Sequence, residues 1–279
     1  MYSAPALAIK YLQYYLKASN GRGHGIHSPF VYEFIREVLI DEREYPAYQV
    51  AEEYRKKILA DHTILDVVDL GAGSALMGKP GTESDKKDSL PVSRKRKVSD
   101  IARTSVKPKR YSRLLFRIAQ FYGYSHIIEL GTSLGVTATY LALVPSVGQF
   151  ITLEGSDSIA TYAEKHIQKA GLRDTTLIRG NFNDHLYSAL EKMESVDMAF
   201  IDGNHRKAPT LDYFNKIMHK TNEYSCIIFD DIHWSGEMEE AWDEIKKDDR
   251  VKLSIDLFFV GIVFFRKSFL EKQDFMIRF

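Results

Sequence analysis

The sequence predicts an α/β protein built on a mostly parallel sheet, and three observations carry the prediction. From Ile127 onward, short apolar runs alternate five times with amphipathic stretches of helical length. Each apolar run is close to uniformly hydrophobic, as strands covered on both faces are. The last two runs, Lys252–Leu257 and Gly261–Phe265, are separated by a turn too short for a helix, so they must form an antiparallel hairpin. Five strand–helix units and a hairpin give a seven-stranded sheet whose last strand runs against the others.

The first sixty residues read as helices without a fold of their own. Leu7, Tyr11, Leu12 and Tyr15 recur at helical spacing, and Gly21-Arg22-Gly23-His24-Gly25 ends that helix. Ser28 followed by Pro29 is a helix start, with a capping side chain and a proline in the first turn. That helix is expected to reach about Ile40, and another to span Ala47–Ala60. The intervening His24-Gly25-Ile26-His27-Ser28-Pro29-Phe30 reads either as a substrate lid or as a packed helix–loop–helix corner.

Residues Leu65–Ser74 read as a short extended segment and turn. Val67-Val68-Asp69-Leu70-Gly71-Ala72-Gly73-Ser74 imitates a nucleotide-binding loop. A phosphate- or ribose-binding turn needs its helix at once, whereas the residues after Ser74 are rich in Gly, Pro, Ser, Asp and Lys. The expectation is a flexible basic loop from about Leu76 to Arg96. A helix from Ser99, interrupted by Pro108, and an amphipathic one over Ser112–Tyr122 (Leu114, Leu115, Ile118, Phe121) lead into the sheet. The chain therefore divides into a helical extension, residues 1–110, and a sheet domain, residues 111–279.

The alternating units are Ile127–Leu130 with Val136–Val144, Phe150–Leu153 with Ser158–Ala170, and Thr175–Ile178 with Asp184–Met193. Val196–Ile201 with Ala208–His219 and Cys226–Phe229 with Glu237–Lys247 complete them. Gly171 stops the second of these helices. The tail from Lys272 to Phe279 alternates polar and apolar residues and fits an added edge strand.

Bulk properties narrow the function classes. The chain has 279 residues, 44% of them hydrophobic, and formal net charge zero, which argues for a globular protein and against disorder. One cysteine, Cys226, excludes a disulfide framework or a cysteine metal centre within the chain. No secretory signal opens the sequence and its longest apolar run is too short to span a bilayer, so no membrane role is expected and a cytoplasmic location is. Charge is uneven: Lys86–Arg113 holds eleven Lys/Arg against two Asp, leaving 27 basic and 36 acidic groups elsewhere. Such a strip serves either as a solvated loop or as a nucleic-acid contact; the lack of interleaved aromatics before Tyr111 favours the former.

Ligands of parallel sheets bind beyond the carboxyl ends of the strands. The first regular strand ends Glu129-Leu130-Gly131-Thr132-Ser133-Leu134-Gly135, two glycines bracketing a turn that opens a helix. Gly131 permits a sharp turn and Gly135 a helix start close to a ligand. The second strand ends in Glu154, placed to accept from a ribose diol or to cap the next helix. These two motifs resemble those of class I S-adenosylmethionine-dependent methyltransferases, most closely the small catechol- and caffeoyl-CoA-type O-methyltransferases. The resemblance covers roughly residues 112–279 and implies the Rossmann-like seven-stranded methyltransferase sheet. It implies that Gly131, Thr132, Ser133, Gly135 and Thr137, with Glu129, hold the methionine part of S-adenosylmethionine. Glu154 would take the ribose, and Asn181 and Phe182 at the third strand end would lie around the adenine.

Two further strand ends are acidic: Asp202-Gly203-Asn204-His205 and Asp230-Asp231. Three converging carboxylates are expensive to bury unpaired, so they should share a cation or a protonated base. Oxygen donors suit Mg²⁺ or another divalent cation, and in the metal-dependent O-methyltransferases the first aspartate matches Asp202 and the later pair matches Asp230 and Asp231. His205 stands where catechol-type enzymes carry a base lysine, and an imidazole can take a hydroxyl proton. With Asp202 it forms the expected catalytic pair; His233 and Trp234 are expected to line the acceptor pocket. The expected reaction is methyl transfer from S-adenosylmethionine to an oxygen of a small-molecule acceptor, divalent metal optional. The rivals are an RNA or protein methyltransferase using the basic strip and a non-catalytic cofactor-binding module. The helical N-terminus offers a surface for a homodimer.

Overall fold

The computed structural model describes residues 1–68, 93–172 and 174–279. The Gly71–Ser74 turn and most of the expected basic loop lie outside the described residues. The N-terminal part comprises α1 (Ala4–Lys17), α2 (Pro29–Phe34), α3 (Pro46–Leu59), β1 (Ile64–Val68), β2 (Ser93–Lys97), α4 (Val98–Ser105) and α5 (Lys109–Tyr122). The alternating units come next as β3 (His126–Leu130), α6 (Val136–Ala142), β4 (Gln149–Glu154), α7 (Asp157–Lys169), β5 (Thr175–Arg179) and α8 (Phe182–Glu191). Then come β6 (Val196–Ile201), α9 (Lys207–Met218), β7 (Thr221–Asp230), α10 (Gly236–Lys247), β8 (Leu253–Asp256), β9 (Val260–Phe264) and β10 (Gln273–Met276).

The main sheet has the order β10-β8-β9-β7-β6-β3-β4-β5. β3 pairs in parallel with both β4 and β6, so the chain leaves β3 one way and returns on its other side. That reversal creates the crevice in which such sheets bind ligands, and it falls at the Gly131 turn. β9 runs antiparallel to β7 and β8, as the short hairpin turn demands. The alternating tail becomes β10, parallel to β8, so the sheet has eight strands where the sequence predicts seven and an optional edge.

Among the described residues, the stretch that leads into the Gly71–Ser74 motif joins no part of this sheet. β1 pairs antiparallel with β2 alone, which corrects the expectation of a loop as far as Arg96: residues 93–97 are a strand. The ribbon leans on α7, where Ser158 Oγ donates to the Asp66 carbonyl (2.7 Å) and Val68 N–H to Ser156 Oγ (3.4 Å). β7 starts five residues earlier than its apolar run. A register shift between Val196 and Met198 absorbs the extra length, and Ser225 Oγ donates to the Val196 carbonyl (2.6 Å).

Two apolar layers enclose the sheet. Residues from α2 to α6 pack on one face, Leu114, Leu115 and Ile118 of α5 among them, and residues of α8, α9 and α10 on the other. Cys226 is buried in the first layer as one more apolar side chain, as its place in an apolar run implies. α1 packs separately, placing Tyr14 and Ala18 against Phe258. A bridge from Ser19 to Ile277 ties the two ends of the chain together.

The His24–Phe30 run is a packed corner and not a lid. Phe30 meets Tyr122, Phe264 and Phe269. Phe264 pairs with Cys226 while Val260 pairs with Asp230, so Phe30 lies at the opposite end of the sheet from the acidic strand ends. Pro29 starts α2 as expected, but the Ser28 side chain makes no capping hydrogen bond; the helix continues into a wider π-helical turn over Ile35–Leu39. Among the described residues no helix is long and apolar enough to cross a membrane.

Candidate active site

The glycine turn is shaped by close backbone approach. Gly131 has φ +107°, and a β-carbon there would overlap the Asp202 carbonyl. Asp202 N–H donates to the Leu130 carbonyl (2.8 Å), and Gly131 and Thr132 N–H both donate to the Leu153 carbonyl (2.9 and 3.0 Å). Ser133 (φ +48°) and Gly135 (φ +84°) complete the left-handed path into α6. Tyr54 of α3 holds the turn from above, its hydroxyl donating to the Leu134 carbonyl (2.6 Å).

Glu154 ends β4 beside this turn. Its carboxylate accepts from Ser133 N–H (2.8 Å) and Ser156 N–H (2.9 Å), so one residue couples the turn to the start of α7. Asn181 caps α8 by accepting from Asn183 N–H (3.0 Å). The Phe182 ring packs edge-on to Tyr213 and against Gly203, where a side chain would collide with it.

Across the turn, Asp202 and Asp230 face one another from adjacent strands. His205, held at φ +35° after Asn204 at +67°, brings Nε2 to 3.6 Å from Asp202 Oδ1. Asp202, His205 and Asp230 each offer one ligand atom within 4.8 Å of the others. A fourth side chain enters from outside the sheet. Lys107 Nζ donates to Asp230 Oδ2 and lies 3.5 Å from Asp202 Oδ2.

The segment between α4 and α5 aims Lys107. A residue before proline is kept out of the helical region, so Pro108 lifts Lys107 out of both helices. The Lys107 carbonyl accepts from Arg55 (2.8 Å) and Ser112 Oγ (3.3 Å). Burial alone would depress the ammonium's pKa; Asp202, Asp230 and Asp231 outweigh it and hold the pKa above the ordinary lysine value. Burial and then Asp202 raise the Asp230 carboxyl, against the pull of Lys107. Burial, followed by Asp230, pushes Asp231 up to about 6.

Known proteins supply the remaining observation. Residues 128–232 match the family model described as a methyltransferase domain. A catechol O-methyltransferase of Niastella koreensis is 32% identical over 137 residues, 48% of this chain and 61% of that protein. The O-methyltransferase imqG of Aspergillus flavus is 29% identical over 139 residues, 48% of this chain and 55% of that protein. The match thus spans little more than half the length of these curated relatives. An O-methyltransferase of Bacillus cereus, solved in complex with SAH, superposes with a TM-score of 0.51 at 20% identity, covering 84% of this chain and 97% of that one. The fold is that of the class I methyltransferases.

Within the methyltransferase fold, most of the expected site residues come together and several change position. Gly131, Ser133 and Gly135 lie in the turn after β3, and Glu154 at the end of β4 is tied to that turn through Ser133 N–H. Thr137 is buried in the first turn of α6. Thr132 turns inward: its hydroxyl meets that of Thr152 (2.5 Å), which donates to Glu129 Oε2 (2.7 Å). Glu129 is fully buried beneath the turn, and its Oε1 has no hydrogen-bond partner among the described residues. The convergent trio contains His205 in place of Asp231, which sits at φ +54° with its N–H donating to the Phe259 carbonyl (2.6 Å). His233 is fixed between Glu239 (3.0 Å) and Asp256 (2.8 Å), both ring nitrogens engaged, so it braces the loop instead of facing an acceptor.

Among the described residues of the basic strip, Arg94–Lys97 stay together on β2 while three others are engaged elsewhere. Lys107 is buried, Arg113 pairs with Glu44 (2.8 Å), and Arg110 lies over Phe279. Lys107 is the site residue that sequence reading missed. A lysine inside a run of eleven basic residues reads as solvent-facing, and only the following proline hinted otherwise.

Burial, reinforced by Asp202 and Glu154 and opposed by Thr152, raises Glu129 from 4.5 to about 8. An acid whose folded pKa exceeds its unfolded one stabilises the fold fully below the unfolded value. That stability is lost as pH rises to the folded value. Unfolding stability of the ligand-free protein is therefore expected to fall between about pH 4.5 and 8, by at most about 5 kcal/mol from this group. Glu129→Gln should flatten that slope in urea titrations across the same range.

Proposed function

We propose that the chain transfers a methyl group from S-adenosylmethionine to an oxygen of a small-molecule acceptor. The observation that carries the reading is the Gly131 turn at the switch point, with Glu154 on one side and the Asp202–His205 pair on the other. The residues fit the cofactor. The turn needs glycine because it packs directly on the Asp202 carbonyl, which draws the ends of β3 and β6 together beside the proposed site. The unpartnered Glu129 Oε1 is a buried acceptor suited to an amino group. Gly131, Ser133 and Gly135 would hold the methionine part, Glu154 the ribose diol, and Asn181 with Phe182 the adenine end.

When bound, the cofactor supplies a methyl sulfonium. The chain's own work is placement and proton removal. His205 Nε2 takes the acceptor's hydroxyl proton, and the charge of Asp202 Oδ1, 3.6 Å from that nitrogen, stabilises the imidazolium that forms. Held by Gly131, Ser133, Gly135 and Glu154, the cofactor would supply the methyl group to the oxygen that His205 deprotonates, its sulfur keeping the electron pair of the broken bond. The name of the Niastella relative points to hydroxylated aromatic acceptors. With its one buried thiol the chain fits a reducing, cytoplasmic setting. The exposed Ile9, Leu12 and Leu16 of α1 are where we place a homodimer contact.

Calorimetric titration with S-adenosylmethionine and S-adenosylhomocysteine tests the reading. Binding of both is expected, and heat from neither would overturn it. His205→Ala should keep cofactor binding while lowering methyl transfer to catechol by roughly 10²–10⁴-fold.

A further inference from the structure

The acid cluster that the fold family would assign to a divalent ion does not fit one as it stands. One oxygen of each carboxylate, Asp202 Oδ2 and Asp230 Oδ2, faces the ammonium of Lys107, while Asp230 Oδ1 is buried without a hydrogen-bond partner among the described residues. A metal taking those oxygens would bring two or more positive charges against a buried lysine. We propose that Lys107 is the resident cation of this site, replacing a divalent metal in neutralising the cluster and in receiving the acceptor oxygen. The second half of the proposal rests on the methyl-transfer reading; the first does not.

Three features support it. Lys107 is placed by construction: Pro108 sets its backbone, and Arg55 and Ser112 hold its carbonyl. An ammonium has three N–H donors. Asp230 Oδ2 accepts one, Asp202 Oδ2 lies 3.5 Å away as an ion-pair partner, and no other described residue accepts from the ammonium. Asp202 bridges the two working groups, with Oδ2 3.5 Å from Lys107 Nζ and Oδ1 3.6 Å from His205 Nε2. An acceptor oxygen between them would give its proton to His205 Nε2 and, once negative, accept from Lys107 Nζ. A single ammonium does not chelate two vicinal oxygens as a metal does. The acceptor class is therefore widened to compounds with one ionisable hydroxyl.

The test is Mn²⁺ binding by electron paramagnetic resonance on the intact chain. The unsubstituted protein is expected to bind no Mn²⁺ below millimolar concentration. Its methyl transfer to catechol should be unchanged by EDTA. Lys107→Ala should expose Asp202, His205 and Asp230 as one Mn²⁺ site, tighter by at least roughly 30-fold, and Lys107→Ala with Asp202→Asn should lose it. Should Lys107→Ala prove unfolded, recovery of its far-ultraviolet circular dichroism by Mn²⁺ is the same result read through folding. Micromolar Mn²⁺ binding by the unsubstituted protein would overturn the proposal. So would a folded Lys107→Ala without a Mn²⁺ site, or an unfolded one that millimolar Mn²⁺ does not restore. Because binding is read without cofactor, its outcome is independent of whether the chain transfers methyl groups.

Discussion

Gly131→Ala is expected to destabilise the protein by about 3–5 kcal/mol and to remove S-adenosylmethionine binding. Two costs act together. An alanine at φ +107° adopts a backbone conformation that costs on the order of 1–3 kcal/mol. Its methyl group would also overlap the Asp202 carbonyl, and backbone cannot swing aside as a long side chain does. Relief requires β3 and β6 to part at their carboxyl ends, which breaks the Asp202 N–H to Leu130 hydrogen bond and displaces Asp202 itself. Gly135→Ala is the control. It also has positive φ, +84°, but its nearest neighbour would be the Ala163 methyl at an ordinary 3.5 Å. It should cost only about 1–2 kcal/mol and leave cofactor binding measurable. Thermal unfolding and calorimetry on the pair separate the two effects; equal losses would mean that closeness to Asp202 is not what fixes glycine at 131.

The sheet was legible because strands covered on both faces need uniform apolar runs, and Ile127–Leu130, Phe150–Leu153 and Val196–Ile201 have them. The choice between the two glycine turns was legible for a topological reason. A ligand turn must hand over to a helix, and Gly131–Gly135 does so; β3 accordingly stands between β4 and β6. Polar pairings across long sequence separation were not legible. Nothing in Thr132 or Thr152 tells that their hydroxyls meet under the turn above Glu129. Nor does His233 announce that Glu239 and Asp256 hold both its nitrogens. Convergence of Asp202 with Asp230 followed from strand order. That the balancing cation comes from position 107 depends on where a pre-proline segment crosses the sheet's end, which periodicity does not encode.

The second large effect concerns the carboxylate that holds that cation. Asp230→Ala is expected to cost about 3–5 kcal/mol at neutral pH, more than loss of the hydrogen bond alone. Asp230 and Lys107 are both buried, so their pairing offsets the cost of taking two charges out of water. Without Asp230 the ammonium keeps Asp202, 3.5 Å away on a partly exposed side chain, and loses its closest partner. Asp230→Asn should cost less, because an amide oxygen still accepts from Nζ while the charge is gone. The decisive comparison is Lys107→Met with Asp230→Leu. Replacing both members of a buried pair by apolar groups is often neutral or stabilising, so the double variant should recover most of the stability lost by either single one. Urea unfolding at neutral pH of the two singles and the double gives the coupling energy directly. A value near zero would mean that Lys107 and Asp230 are neighbours without being partners. A recovered double variant that binds cofactor yet transfers no methyl group would assign the pair to the acceptor, since stability and cofactor would then be intact and only the handling of the acceptor oxygen lost.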